Sequence, residues 1–150
     1  MKNIKTDTFN SKYEAATAEQ MIETGRILAG ALEAGAVIAL SGPLGAGKTT
    51  LVKGIAEGLG ITEAVTSPSF TIIKEYHQGR LPLYHMDLYR IGHEEELYLL
   101  GVEELLYGSG VSIIEWSEKA GELLPADRLL IKISINPDSS RTVNIEVNTE

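Results

Sequence analysis

Gly42-Pro-Leu-Gly-Ala-Gly-Lys-Thr49 is the stretch that decides the fold of this chain. It matches the phosphate-binding pattern G-x-x-x-x-G-K-[ST] at every fixed position. An apolar run at residues 36–40 precedes it, and a helical pattern from residue 48 to about residue 59 follows it. Strand, loop and helix in this order are the context that the pattern requires. The stretch therefore predicts a P-loop and an α/β fold of the P-loop NTPase class.

The residue types in this loop suit phosphate binding. We expect Gly42, Gly45 and Gly47 to take positive φ and to let the backbone come close to a ligand. Successive backbone N–H groups then form an anion nest at the positive end of the following helix. Lys48 would add a cation for the β- and γ-phosphates, and the Thr49 hydroxyl would ligate Mg²⁺. The predicted ligand is Mg·ATP; no N-K-x-D base-reading motif favours GTP.

Local patterns predict the elements around the loop. Apolar residues recur at helical spacing over residues 17–34, which begin with a capping-box pair, Thr17 and Gln20. Gly35 is a natural end for that helix. A third helix is predicted at residues 94–107 with a break near Gly101, and strands are predicted at residues 70–76, 81–87, 111–115, 129–135 and 142–147.

Two turns organise these strands. Gln78-Gly79 predicts a hairpin between the strands at residues 70–76 and 81–87. Residues 136–140 predict another hairpin between the last two strands. We expect a three-layer α/β/α arrangement, with a mixed sheet that is parallel at its centre. The length of 150 residues favours a single domain over residues 1–150.

Composition and charge exclude several classes of function. The chain has no cysteine, so disulfides, zinc–thiolate sites and cysteine catalysis are excluded. The formal net charge is −8 and the 13 Lys and Arg are scattered, so we expect no direct, tight binding of nucleic acid. Neither a secretory signal nor a membrane span is evident, so the expected location is cytoplasmic and no membrane partner is expected.

Two acidic residues stand where a P-loop protein needs a carboxylate. Asp87 ends the strand Leu83-Tyr-His-Met-Asp87, and Glu115 ends Val111-Ser-Ile-Ile-Glu115. One would hold the Mg²⁺ shell and the other would orient the attacking water. The residues leave open which does which. The alternative for each is an acid that caps the next helix or lies in solvent.

Hydroxyl side chains cluster on the connection between the second helix and the next strand. In P-loop proteins this connection can order around the γ-phosphate, which makes it a candidate switch loop. Its candidate residues are Thr66, Ser67, Ser69 and Thr71.

Three further residues have competing interpretations. Arg90 would offset charge on the γ-phosphoryl group, or it forms a surface salt bridge. Trp116 packs in the core or lines the site. His85 is best interpreted as a structural histidine whose hydrogen-bonding groups are satisfied.

Taken together, G-x-L-G-A-G-K-T-T, T-S-P-S-F-T, Y-H-M-D-L-Y-R and I-I-E-W resemble the TsaE (YjeE) family, over residues 17–135. The resemblance implies an ATPase, with ATP/ADP and Mg²⁺ as cofactors. It would work with the TsaB and TsaD proteins in forming N6-threonylcarbamoyladenosine in tRNA. It would meet tRNA only indirectly, through that complex.

The resemblance also implies roles for individual residues. Thr49 and Glu115 would hold Mg²⁺, and the catalytic residues would be Asp87, Glu115 and Lys48. Pro43 and Ser69 are small departures, since an acid and a threonine are common there in the family. The implied nucleotide-binding residues are Thr17 near the base, and Gly42, Leu44, Gly45, Ala46, Gly47, Lys48, Thr49 and Thr50.

Two other functions share the loop. A small-molecule P-loop kinase needs an acceptor pocket and a lid, usually with several arginines. No lid-like insertion is evident, and the chain has only Arg26, Arg80, Arg90, Arg128 and Arg141. A nucleotide-gated binding module with negligible hydrolysis is the second alternative, because no unambiguous hydrolytic base is evident.

Overall fold

The computed structural model describes residues 11–148. Its elements follow the chain in this order: β1 (Ser11–Ala15), α1 (Ala18–Ala31), β2 (Val37–Ser41), α2 (Lys48–Gly58), β3 (Ile73–Tyr76), β4 (Leu83–Asp87), α3 (Glu95–Leu99), α4 (Val102–Leu106), β5 (Val111–Glu115), a 3₁₀ helix (Ser117–Leu123), β6 (Arg128–Ile135) and β7 (Arg141–Asn148).

The described strands form one mixed, seven-stranded sheet in the order β1-β7-β6-β2-β5-β4-β3. Strands β6, β2, β5 and β4 are parallel neighbours at its centre. Antiparallel strands flank this centre, with β3 beside β4 on one side and β7 and β1 beyond β6 on the other. The expected mixed sheet with a parallel centre and two hairpins is confirmed.

Each face of the sheet has its own apolar core, because successive strand residues point to opposite faces. Ile38 and Leu40 of β2 pack with α1 and α2 in one core. Val37 of β2 and Ile114 of β5 pack with α3, α4 and the 3₁₀ helix in the other. Helices therefore cover both faces, as the sequence predicted.

The two long helices approach each other closely at glycines. A Cβ atom built on Gly54 of α2 would lie 2.1 Å from the carbonyl oxygen of Ile22 in α1. One built on Gly25 of α1 would lie 2.5 Å from the carbonyl oxygen of Leu51. Only glycine leaves space for these contacts, which bring the middle parts of α1 and α2 together.

The first helix is confirmed, and the N-terminal region differs from the prediction in one strand and in where this helix ends. Strand β1 was not predicted, because only Ala15 of its five residues is buried and it is held by backbone pairing with β7. Helix α1 ends at Ala31, with Leu32 as its C-cap, so it is shorter than predicted. Gly35 has φ of 88° but lies in the turn before β2.

The middle of the chain also departs from the local patterns. Residues 70–72 are a turn, because the Ile72 N–H donates to the Pro68 carbonyl at 2.8 Å and Ile72 takes φ of 69°. The predicted break at Gly101 is confirmed: its φ of 77° separates α3 from α4. The 3₁₀ helix was not predicted, because Gly121 interrupts its helical pattern.

Helices in the described part of the chain are short. Helix α1 has 14 residues and α2 has 11, whereas a membrane-spanning helix needs about 20 predominantly apolar residues. Across residues 11–148, none is long and apolar enough to cross a membrane.

Candidate functional site

The candidate site lies where parallel strands of the sheet end. Strand β2 leads directly into the glycine-rich loop, Gly42–Thr49. Leu40 at the end of β2 pairs with Glu115 of β5, and Glu115 pairs in turn with Asp87 of β4. Both predicted carboxylates therefore lie at the carboxyl edge of the sheet next to the loop, where open α/β sheets bind their ligands.

Backbone conformation in the loop follows its glycines, with one correction. Gly45 and Gly47 take φ of 80° and 105°, as expected. Gly42 lies outside the positive-φ region. Glycine is needed there for space, because a Cβ on Gly42 would lie 2.9 Å from the carbonyl oxygen of Ile133.

Lys48 links the loop to one carboxylate. Its Nζ donates to the carbonyl oxygen of Gly42 at 2.8 Å and lies 3.6 Å from Oε1 of Glu115. Thr49 and Thr50 follow it in the first turn of α2, where backbone N–H groups have no partner within the helix. The arrangement places the Lys48 cation and the positive end of a helix beside the loop, with Thr49 and Thr50 in the same helical turn.

Glu115 is held from its other side by a buried histidine. Nε2 of His85 lies 2.8 Å from Oε2 of Glu115, and the His85 side chain is fully buried. In the tautomer that carries the proton on Nε2, His85 donates this hydrogen bond to Glu115. His85 is thus a structural histidine, as the sequence predicted, but it is only partly satisfied, because its buried Nδ1 has no hydrogen-bond partner in the described part of the chain. The parallel register pairs His85 with Ile113, which puts Glu115 on the same face two residues later.

Asp87 joins the hydroxyl segment to this edge. Its Oδ1 accepts from the Tyr89 N–H at 3.0 Å, and its own N–H donates to the Ile72 carbonyl at 2.8 Å. The hydroxyl segment ends just before Ile72. Within that segment the hydroxyls of Ser67 and Ser69 lie 2.7 Å apart, and Thr66 and Thr71 are exposed.

Arg90 and Trp116 lie at the surface among aromatic rings. The Arg90 guanidinium is 4.8 Å from the ring centroid of Phe70, whose residue is 80% exposed. The Trp116 ring lies 4.9 Å from that of Tyr89, and Trp116 is 42% exposed with φ of 58°. The interpretation of Trp116 as a core residue was wrong, because it follows the strand end and turns outward.

Thr17 begins α1 beside the loop. Its Oγ1 accepts from the Gln20 N–H at 3.1 Å, and Oε1 of Gln20 accepts from the Ala16 N–H at 2.6 Å. The predicted cap is therefore confirmed. Thr17 also lines a pocket of about 210 Å³ that includes Gly47, Thr50, Ser139 and Arg141.

Arg141 was not predicted to be near the site. It begins β7, and its Nε and Nη2 each lie 3.2 Å from a loop carbonyl oxygen, that of Ala46 and that of Gly45 respectively. No local pattern signals this contact, because it joins the last hairpin to a loop far earlier in the chain.

The side-chain donors near the loop would suit Mg²⁺ better than a metal ion whose ligands all come from the protein. Among residues 11–148, no group of three or more His, Asp and Glu side chains is placed to hold a metal ion. A cation near the loop would take the Glu115 carboxylate and the Thr49 hydroxyl. Mg²⁺ is commonly bound in this way, with one or two protein oxygens, substrate phosphates and water.

The chain matches one protein family along most of its length. The family described as "Threonylcarbamoyl adenosine biosynthesis protein TsaE" matches residues 15–143. The "tRNA threonylcarbamoyladenosine biosynthesis protein TsaE" of Bacillus subtilis is 47% identical over 143 residues, covering 95% of this chain and 85% of the relative. The protein of the same description from Treponema pallidum is 43% identical over 129 residues, covering 86% of this chain and 95% of the relative.

A solved structure agrees with these matches. The crystal structure of Bacillus subtilis YdiB is similar to this fold, with a TM-score of 0.79 and 41% identity, covering 93% of this chain and 86% of that chain. The family resemblance predicted from the four sequence motifs is thus confirmed. The chain belongs to the TsaE family of tRNA threonylcarbamoyladenosine biosynthesis proteins.

Proposed function

We propose that this protein is a Mg²⁺-dependent ATPase, built as one P-loop NTPase domain, that supports formation of N6-threonylcarbamoyladenosine in tRNA together with TsaB and TsaD. One observation carries the proposal. Lys48 Nζ lies 3.6 Å from Oε1 of Glu115 at the mouth of a loop with the phosphate-binding pattern. A cation and a carboxylate at this position match the needs of the phosphates and the metal of Mg·ATP.

The loop and the start of α2 would bind the phosphates. Gly45 and Gly47 have the positive φ that lets backbone N–H groups converge on an anion. Lys48 would move from its contact with Glu115 toward the β- and γ-phosphates. Thr17 lines the adjoining pocket, which would receive the rest of the nucleotide.

The two carboxylates would divide the hydrolytic work. Glu115 is fixed by His85 and Lys48, so it suits the metal, which Thr49 would share. Bound Mg²⁺ would neutralise charge on the phosphate oxygens during transfer. Asp87 is half-buried at the same edge, so we assign it the orientation of the attacking water. The hydroxyls of residues 66–71 would sense the γ-phosphate, because their segment ends beside Asp87.

The surface supports protein partners over direct binding of tRNA. The net charge of −8 disfavours contact with a phosphate backbone. Leu44 on the loop and Phe70 on the hydroxyl segment are 98% and 80% exposed. These two exposed apolar side chains would suit contact with a protein surface better than contact with a phosphate backbone. A cytoplasmic location, where tRNA and ATP are available, is part of the proposal.

The test is ATP hydrolysis by the purified protein, alone and with TsaB and TsaD. We expect weak turnover alone, stimulation by the two partners, and loss of turnover in Lys48→Ala, Asp87→Ala and Glu115→Ala. Lys53→Ala and Glu103→Ala are matched controls, because both residues are exposed and lie away from the carboxyl edge. Both controls should retain wild-type turnover.

Other outcomes would contradict the proposal. Turnover that ignores both partners and survives the three substitutions would exclude this ATPase and its site. Nucleotide-dependent partner binding without turnover would indicate a gated binding module. ADP release that requires a small acceptor would indicate a kinase.

A further inference from the structure

The guanidinium of Arg141 forms hydrogen bonds with the backbone of the glycine-rich loop. Its Nε and Nη2 donate to the carbonyl oxygens of Ala46 and Gly45, each at 3.2 Å. Its Nη1 donates to the carbonyl of Ser139, two residues earlier, in the β6–β7 turn. The planar guanidinium presents its N–H groups as a rigid fork, so all three contacts are made at once.

These hydrogen bonds orient the peptide units that follow Gly45 and Ala46. A trans peptide unit is planar, so its C=O and the following N–H point in opposite directions. The carbonyl of Ala46 points at Arg141, and the N–H of Gly47 therefore points away from it. The carbonyl of Gly45 does the same, and the Ala46 N–H closes a turn onto the Pro43 carbonyl at 3.0 Å.

Arg141 is also close to the ligand side of the loop. It lines the pocket of about 210 Å³ together with Thr17, Gly47 and Thr50. Arg141 therefore forms hydrogen bonds with the backbone of the glycine-rich loop and also lines the pocket next to that loop.

We propose that Arg141 is a positioning residue, which holds the Gly47 amide in the orientation that binds a nucleotide phosphate. This inference rests on the proposed nucleotide function. The positioning by Arg141 depends more on the forked arrangement of the guanidinium N–H groups than on the positive charge. Lysine keeps the charge but presents a single ammonium, which cannot reproduce the fork.

The test compares Arg141→Lys and Arg141→Met with the wild type in nucleotide binding. Isothermal titration with ADP and with ATP, both with Mg²⁺, gives the affinities. We expect both variants to bind each nucleotide about tenfold more weakly, with the lysine no better than the methionine. Arg128→Lys is the matched control, because Arg128 lies at the other end of the same hairpin and bonds the Pro125 carbonyl at 2.9 Å. It should bind as the wild type does.

A second readout needs no nucleotide. In ¹H–¹⁵N spectra of the free protein, the amide signals of Ala46 and Gly47 should shift in Arg141→Lys and stay in place in Arg128→Lys. A role limited to stability would lower the Tm without moving these two signals or the affinities.

The outcomes separate this inference from the function on which it rests. Failure of the wild type to bind ADP and ATP would overturn both. Wild-type affinity in Arg141→Lys, or unchanged Ala46 and Gly47 amides, would overturn the positioning role alone. Weakened binding in Arg141→Met that Arg141→Lys restores would assign the effect to charge and would also overturn it.

Discussion

Nε2 of His85 lies 2.8 Å from Oε2 of Glu115, and this contact joins two parallel strands inside the protein. Glu115 is itself buried and meets Lys48 with its other oxygen. A buried carboxylate is costly unless it is paired and hydrogen-bonded. His85, Glu115 and Lys48 thus form a chain from the core to the glycine-rich loop.

Removing the imidazole should weaken both the fold and the proposed Mg²⁺ site. We expect His85→Ala to lower the free energy of unfolding by about 3 kcal/mol, from a lost hydrogen bond to a charged group and a cavity. It should also raise the Mg²⁺ concentration needed for half-maximal ATP turnover. His85→Gln should recover part of both losses, since its amide can donate to Glu115. Denaturant unfolding and a Mg²⁺ titration of turnover measure these effects, and equal losses in both variants would contradict the assigned hydrogen bond.

Lys48 and Glu115 should be coupled before any nucleotide binds. We expect a coupling free energy of about 1–2 kcal/mol between Lys48→Met and Glu115→Gln in the nucleotide-free protein, because the pair is largely buried and 3.6 Å apart. Denaturant unfolding of the two single variants and the double variant gives this value. Adding Mg·ATP should reduce the coupling, because Lys48 would then contact phosphate. Additive single effects without nucleotide would show that the pair contributes nothing.

Gly45→Ala isolates the conformational role of the loop. A Cβ on Gly45 would meet nothing within 4 Å, so the expected cost comes from its φ of 80° alone. We expect a loss of about 1 kcal/mol, which lowers the Tm by about 2–4 °C in a domain of this size. Gly30→Ala is the control, since Gly30 in α1 is also unobstructed but helical. That change should stabilise the protein slightly, and scanning calorimetry compares the two.

Gly54→Ala tests the close contact of α1 and α2. Its added methyl would lie 2.1 Å from the backbone carbonyl of Ile22, which cannot rotate away as a side chain could. We expect destabilisation of about 3 kcal/mol, at the upper end of ordinary overpacking. Lys53→Ala, one residue earlier on the exposed side of α2, should change stability by less than about 0.5 kcal/mol. Similar unfolding curves for the two variants would mean that the helices separate easily.

Patterns within short segments predicted much of the fold and the site. The spacing of Gly42, Gly47, Lys48 and Thr49 identified the candidate phosphate-binding loop, because that pattern lies within eight consecutive residues. Strand ends identified Asp87 and Glu115, because a short apolar run followed by an acid is a local signal. The break at Gly101 was evident for the same reason, since a left-handed residue interrupts a helix wherever it lies.

Predictions failed where distant parts of the chain decide the structure. Strand β1 exists through backbone pairing with β7, so its side chains carry little pattern. Ile72 takes a left-handed conformation that its β-branched side chain disfavours, and a turn with Pro68 holds it there. Neither feature follows from residue propensity alone.

The sequence by itself determined that a phosphate-type loop stands between a buried strand and a helix, with two acids at the ends of other strands. Only the tertiary structure decided that His85 is hydrogen-bonded to Glu115 and that Arg141 is hydrogen-bonded to the backbone of the loop. The physical reason is the distance along the chain between the residues that interact. Loop conformation and strand patterning depend on neighbouring residues, whereas these two contacts depend on strand order and register across the whole sheet, which no local spacing encodes.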